Sequence, residues 1–335
     1  LIIASTGFPV AAFTLPRPYG PLVFFSDRES PTTQAHWRYD QVDASSWVSN
    51  DVTLVEFGGK LRVFYRKITD VPCETDRRAN QGNTSVFACG SSLMMGTYEN
   101  NAWALTAVNN SNGGAVGFGV VHTVSEDGTT LYVAHGDAKN GHLVIEVLHN
   151  GQWTRHNEAP APAQGNRPAE SGSTGMRPSI AAFANEVVVV HSPWQGSELD
   201  TESDSGVLYT TRYNLISESW YSETLSYLGD FVGGGQAIAN LSGAEWIFAR
   251  ERFRSTGSAI SELDALHLGR TSLPQLTQQL ESYSFSQTRH LFNNLQLSGD
   301  RFGLPFLSYS DQPGGICMNF GGVEFCPVER VCFYR

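Results

Sequence analysis

Short runs of β-branched and aromatic residues recur along the whole chain, separated by breaks rich in Gly, Asn and Asp. Leu22 to Phe25 and Val187 to Val190 are two such runs. Alternating or continuous apolar runs of this length, bounded by turn residues, read as strands. No comparable run shows helical spacing. "SLPQLTQQLESY" (272–283) has the composition for a turn of helix, but it falls where a strand is due. The runs group into a repeating unit: an apolar run, a turn such as "GG", "EDG" or "SGD", a second strongly β run, a variable loop, a third strand, and a weaker fourth that carries Trp. "FPVAAFTLPRPYGPLVFFSD" (8–27) aligns with "RPSIAAFANEVVVVHS" (177–192), and "RYDQVDASSW" (38–47) with "RYNLISESWYSE" (212–223).

A four-stranded meander leaves both faces uncovered when it stands alone, and packing such units radially covers them while keeping only short edges. The sequence therefore predicts an all-β single domain, a six-bladed β-propeller of four-stranded antiparallel blades. The predicted blades lie near 7–49, 50–108, 114–159, 176–226, 233–283 and 287–335. A seventh blade fits only if the long loop of the second unit hides strands. Because the first unit reads as complete, "LIIAS" at the start of the chain is expected to pair with the outer edge of the last blade.

Composition narrows the function. A formal net charge of −11 argues against nucleic acid, which needs a concentrated basic face. Lys occurs only at Lys60, Lys67 and Lys139, a bias that also fits a host-directed toxin module docking to protein. There is no apolar stretch long enough for a transmembrane helix. Cys73 and Cys89 bracket a polar loop, and Cys317, Cys326 and Cys332 crowd the C-terminus. Such spacing fits disulfides and secretion, and the odd count leaves one thiol free or available to link a second copy into a homo-oligomer. Sequons begin at Asn83, Asn109 and Asn240.

The clue to chemistry lies just past each second strand: Ser26-Asp27-Arg28, Arg66-Lys67, His135-Gly136-Asp137, His191-Ser192, Arg250-Glu251-Arg252 and Ser310-Asp311. Turns alone do not need these ionisable groups, and loops on a rigid scaffold are where function collects. They are expected to circle one mouth of the central channel. Trp47, Trp103, Trp153 and Trp220 recur at the fourth-strand position and read as inter-blade packing residues. Trp37 and Trp194 stand outside that register and are candidate platforms for a sugar ring.

"RPSIAAFANEVVVVHS…GVLYTTRYN…SWYSET" resembles the repeat of bacterial and fungal propeller lectins, well in the fourth unit, fairly in the first and weakly in the last two. The resemblance implies a secreted carbohydrate-binding protein. Arg66, His135, His191, Arg250, Glu251 and Asp27 are then the polar glycan contacts, and Trp37 and Trp194 the stacking ones. The alternative is a sialidase-like glycoside hydrolase with Glu251 and Asp27 as its carboxylates, although the Ser-x-Asp-x-Gly-x-Thr-Trp box of sialidases is only grazed by "SEDGTTLY" (125–132). No cofactor is expected. "DTESDSG" resembles the start of a calcium loop through Asp200, Glu202 and Asp204, but it lacks the later bidentate Glu.

Overall fold

The computed structural model describes residues 2–15, 20–44, 47–69, 90–108, 116–137, 142–157, 176–192, 208–226, 230–241, 244–253, 263–271, 280–284, 293–299, 305–311, 318–320, 323–325 and 330–334. Two compact units divide at Pro178 and Ser179.

In the first unit, the first sheet holds β1 (Ile2–Ile3), β2 (Pro9–Leu15), β3 (Gly20–Ser26) and β4 (Trp37–Gln41) in that order. The second holds β5 (Trp47–Phe57), β6 (Lys60–Ile68), β7 (Ser91–Glu99) and β8 (Ala102–Ala107). The third holds β9 (Val116–Val124), β10 (Thr130–Asp137), β11 (His142–His149) and β12 (Gln152–Asn157). The second unit contains most of a fourth sheet, β13 (Met176–Phe183), β14 (Glu186–Ser192), β15 (Leu208–Asn214) and β16 (Ser219–Ser226). A fifth is made of β17 (Asp230–Leu241), β18 (Ala244–Phe253), β19 (Leu263–Thr271) and β20 (Leu280–Ser284). Its last strand takes up the end of the stretch whose composition also suited a helical turn. β21 (Asn293–Gly299) and β22 (Pro305–Asp311) come next, then the hairpin of β23 (Met318–Phe320) and β24 (Val323–Phe325). β25 (Arg330–Tyr334) pairs back onto β22. Every pairing described is antiparallel.

Tight hairpins set the registers. Gly58-Gly59, Asn100-Asn101 and Asn150-Gly151 all have positive φ at both central residues. That is the twist a two-residue hairpin needs. Alternation then decides which side chains are covered. Val10, Val23, Leu54, Val63 and Tyr65 close the space between the first and second sheets; Val55, Phe64, Leu93, Leu131, Val133 and Leu148 do so between the second and third. In the second unit, Ala181, Phe183, Val188, Val190, Ile238 and Ile247 form the corresponding core. Trp103 and Trp153 pack onto the first two of these cores, Trp153 edge-on to Phe64 of the preceding sheet at 6.0 Å.

The first sheet corrects three expectations. Ile2 and Ile3 pair with Val10 and Pro9 of their own sheet, not with a last blade. Trp47 opens β5 by pairing with Ile68, so it starts the second sheet instead of ending the first. The "Arg-Tyr-Asx" phrases lie on non-equivalent strands: Arg38 is on the fourth strand of its sheet, Arg212 on the third of its own. With β1 counted, β2 and β3 are second and third strands, one place later than the aligned sequence predicted.

A deeper repeat shows in the registers instead. Residues 49–51 of β5 bulge opposite Arg66, and residues 232–235 of β17 bulge opposite Arg250. Residues 119–120 of β9 bulge opposite His135, as residues 294–295 of β21 do opposite Tyr309. Similar irregularities thus fall in the first strands of the second and fifth sheets, and in that of the third sheet and in β21.

Candidate functional site

The predicted single rim separates into distinct places. The first is buried between the second and third sheets, at the end where β6 leads into β7 and β10 into β11. Arg66 is fully buried and its Nε donates to Ser91 Oγ at 3.1 Å. Ser91 in turn donates to the carbonyl of Val116 at 2.8 Å. The next amide, Gly117, donates to His135 Nδ1 at 3.2 Å. Gly117 has left-handed backbone at φ +91°, and a Cβ there would lie 3.2 Å from Arg66 Cβ. Only glycine lets this strand pass so close to the arginine. His135 Nε2 approaches Glu146 Oε1 at 3.6 Å, and Arg155 Nε donates to the same oxygen at 2.7 Å. Burial works against ionising Glu146, but the neighbouring His135 and Arg155 outweigh it and hold the carboxyl below its ordinary range.

Strand pairing explains the assembly. Glu146 faces Arg155 directly across β11 and β12, and His135 lies diagonally on the same face. Arg66 and His135, both predicted, are therefore joined through Ser91 and Gly117. Ser91, Glu146 and Arg155 were missed. Glu146 had a signal: in "HLVIEVLH" a carboxylate occupies the inward parity shared by Val144 and Leu148.

The second place is the far end of the first sheet. Asp27 comes after a third strand, so it does not share the end of Arg66 and His135. This corrects the expected grouping, and contacts show it directly. Phe25, two residues before Asp27, meets Tyr98 beside the Asn100-Asn101 hairpin at 5.2 Å, while Arg66 lies at the opposite end of that second sheet. Asp27 is exposed, accepts from Arg28 Nε at 3.0 Å and lies 3.3 Å from His36 Nδ1. The hydrogen bond from Arg28, helped by the charges of Arg28 and His36, outweighs the opposing effect of desolvation and holds the carboxyl below its usual range. The backbone closes the loop as Asp27 N donates to the His36 carbonyl at 3.0 Å. Trp37 comes directly after, pairing with Ser26, and on the same sheet face Tyr39 is 52% exposed and tilts against Phe24 at 5.6 Å. Arg38 projects to the other face, over the Phe25 ring at 4.5 Å.

The remaining predicted residues lie elsewhere. His191 is buried within the fourth sheet, where Nε2 and Thr211 Oγ1 are 2.8 Å apart. Arg250 and Glu251 pair with Leu266 and Ala265 on β18. Glu251 is on a second strand and Asp27 comes after a third, so the repeat gives no basis for joining them as one carboxylate pair. Trp194 and the calcium candidates Asp200, Glu202 and Asp204 lie outside the described residues, as do Cys73, Cys89, Cys317 and Cys326. Asn240 of the third sequon sits within β17 and donates from Nδ2 to the Ala182 carbonyl at 2.8 Å. In "SEDGTTLY", Asp127 accepts from Ser125 Oγ at 2.6 Å and from Thr129 N at 3.0 Å; these bonds staple the turn and draw its pKa down to about 2. Among the described residues no group of three or more metal-binding side chains converges, and no helix is long and apolar enough to cross a membrane.

No family model matches the chain, and no curated protein matches it. Solved structures do. The intramolecular trans-sialidase from Ruminococcus gnavus superposes with a TM-score of 0.56 at 11% identity, over 93% of this chain and 89% of that one. A protein of unknown function from Dyadobacter fermentans gives 0.52 at 8% identity, over 97% and 95%. Trypanosoma rangeli sialidase gives 0.50 at 11%, over 96% of this chain and 51% of its own. Such identities carry the architecture and leave the chemistry to the site itself. The chain is an all-β protein of the β-propeller class, and most of its described antiparallel sheets are four-stranded.

Proposed function

We propose that the chain is a secreted, six-bladed propeller that binds glycans, and that the open end of its first sheet makes the contact. One observation carries this reading: Asp27, Arg28 and His36 form a charged cluster at the surface, beside the aromatic side chains of Trp37 and Tyr39. A pyranose offers an apolar C–H face to an aromatic ring and hydroxyls to charged acceptors and donors. That pairing of surfaces is what the cluster supplies. The sealed residues Arg66 and His135 then act by holding the second and third sheets in register, not by touching ligand. A glycan array on the purified protein tests the proposal. Specific binding that is lost in Asp27→Ala and in Trp37→Ala supports it. Binding that survives both variants moves the site elsewhere, and an array with no bound glycan ends the reading.

A second reading, a sialidase-like hydrolase, is favoured by two of the structural neighbours, a trans-sialidase and a sialidase. A fluorogenic sialoside separates the two: turnover that stays with the protein through purification establishes the hydrolase.

A further inference from the structure

We propose that the exposed edge of the seam between the first and second sheets recognises the carboxylate of an acidic sugar, with Arg38 as its anchor. This rests on the glycan reading, adds a second contact on the face of the first sheet opposite Trp37 and Tyr39, and names the ligand class.

Arg38 combines exposure with fixed orientation. Its side chain is 61% exposed, yet the guanidinium is held 4.5 Å over the Phe25 ring, and Nη2 donates to Tyr98 OH at 3.4 Å. The Tyr98 hydrogen bond is also the largest of the influences that raise the pKa of this arginine. Tyr98 is itself fixed. Its ring lies 5.2 Å from Phe25 and 5.0 Å from Trp103, and its hydroxyl reaches Asn101 Oδ1 at 3.5 Å. Asn101 belongs to a tight hairpin with φ +60°, so its backbone has little freedom. Three rings from two sheets thus back one exposed cation.

An arginine on a flexible stem loses side-chain entropy when it binds. One stacked and tethered beforehand loses less. Its planar fork matches the two oxygens of a carboxylate, which lysine does not do. Asp40 Oδ1 lies 3.6 Å from Nη1, a loose contact on a single atom that a better-placed carboxylate outcompetes. The chain carries −11 overall, so long-range attraction cannot draw in an anion. Selectivity has to come from local geometry. Tyr98 OH and the Asn101 amide stand beside the guanidinium to take sugar hydroxyls.

The experiment uses the full chain on an array printed with neutral, sialylated, uronic-acid and sulfated glycans. The expected result is binding concentrated on the two carboxylate classes. Arg38→Ala should weaken it about ten- to hundredfold, the scale of a lost charge-assisted pair. Arg38→Lys should recover little of that loss, because charge without the fork is not enough. Tyr98→Phe should weaken binding by a smaller factor while unfolding at an unchanged denaturant midpoint, which separates loss of orientation from loss of fold. Binding confined to neutral or sulfated glycans overturns the carboxylate assignment and leaves the glycan reading standing, as does carboxylate binding that is unchanged in Arg38→Ala. An array with no bound glycan at all overturns both.

Discussion

A carboxylate, a histidine and an arginine occur together twice in the first unit. At the end of the first sheet, Asp27 and Arg28 stand in water, with His36 partly sheltered beside them. Between the second and third sheets, Glu146, His135 and Arg155 use the same three residue types, with Glu146 and His135 fully buried. The difference is one of medium. In water such pairs add little to stability and leave their outer atoms available to a ligand. Sealed between sheets, the charges hold one another, and removing one partner leaves the others uncompensated. Ionisable residues at strand ends therefore do not define a rim by themselves. Strand order and packing decide which of them meet solvent.

The sharpest test of the comparison is to remove the carboxylate from the buried set. Glu146→Ala should destabilise the fold by about 3–5 kcal/mol, since it strands Arg155 and removes the ion His135 approaches. Urea unfolding with an unchanged slope measures this. A loss below about 1 kcal/mol would show that the network contributes no more than a typical solvent-exposed ion pair.

Acid offers a second test at the same seam. His122 shares a 2.6 Å hydrogen bond with Thr53 across the second and third sheets, and burial pushes its pKa from 6.5 down to about 4. The neutral ring is the form that packs. Its contribution is complete above pH 6.5 and fades as pH falls to 4, because the unfolded chain takes up the proton first. Glu146 acts in the same direction at lower pH, since its depressed pKa contributes stability that is lost as the carboxyl protonates. Between pH 7 and 4 the protein should lose about 2–3 kcal/mol from His122 alone. His122→Asn should flatten that part of the stability profile, and an equally steep profile in the variant removes His122 from the account.

Packing at the neighbouring seam should respond less. A Cβ at Gly96 would lie 2.8 Å from Val42 Cγ1 and 3.2 Å from the Trp103 ring. Gly96→Ala should therefore cost about 1–3 kcal/mol through overpacking between the first and second sheets, read as a lowered midpoint in thermal unfolding. An unchanged midpoint would mean that Val42 or Trp103 moves aside without cost.

These contrasts also show what the amino-acid order made legible. The meander and its hairpins were readable, because Gly-Gly and Asn-Gly turns between β-rich runs leave the backbone few alternatives. Strand numbering in the first sheet was not. Ile2 and Ile3 form a two-residue strand too short to register as one, and missing it moved Asp27 to the wrong end. The matched phrases at Arg38 and Arg212 were misleading for the same reason: local wording recurred on strands of different rank. The correspondence between Arg66 and Arg250 was legible from their shared place in the repeat, and the bulges opposite both of them record it a second time. Arg66 and His135 were found because ionisable residues end apolar runs there, but burial is set by the neighbouring sheet and was beyond reach of a single strand's pattern.

The smallest structural effect belongs to the exposed set, and it carries the functional weight. Asp27→Asn keeps the shape and one acceptor oxygen while removing the charge that faces Arg28 and His36. Salt and water already screen that cluster, so the thermal midpoint should move by about 1 °C or less. Glycan binding should fall all the same, because a charged acceptor for sugar hydroxyls becomes a neutral one. Trp37→Ala should weaken binding as well, through loss of the stacking surface. The pair of readouts is what discriminates: a large stability loss in Asp27→Asn would place this cluster with the buried network, and unchanged glycan binding would strip the exposed end of the role proposed for it.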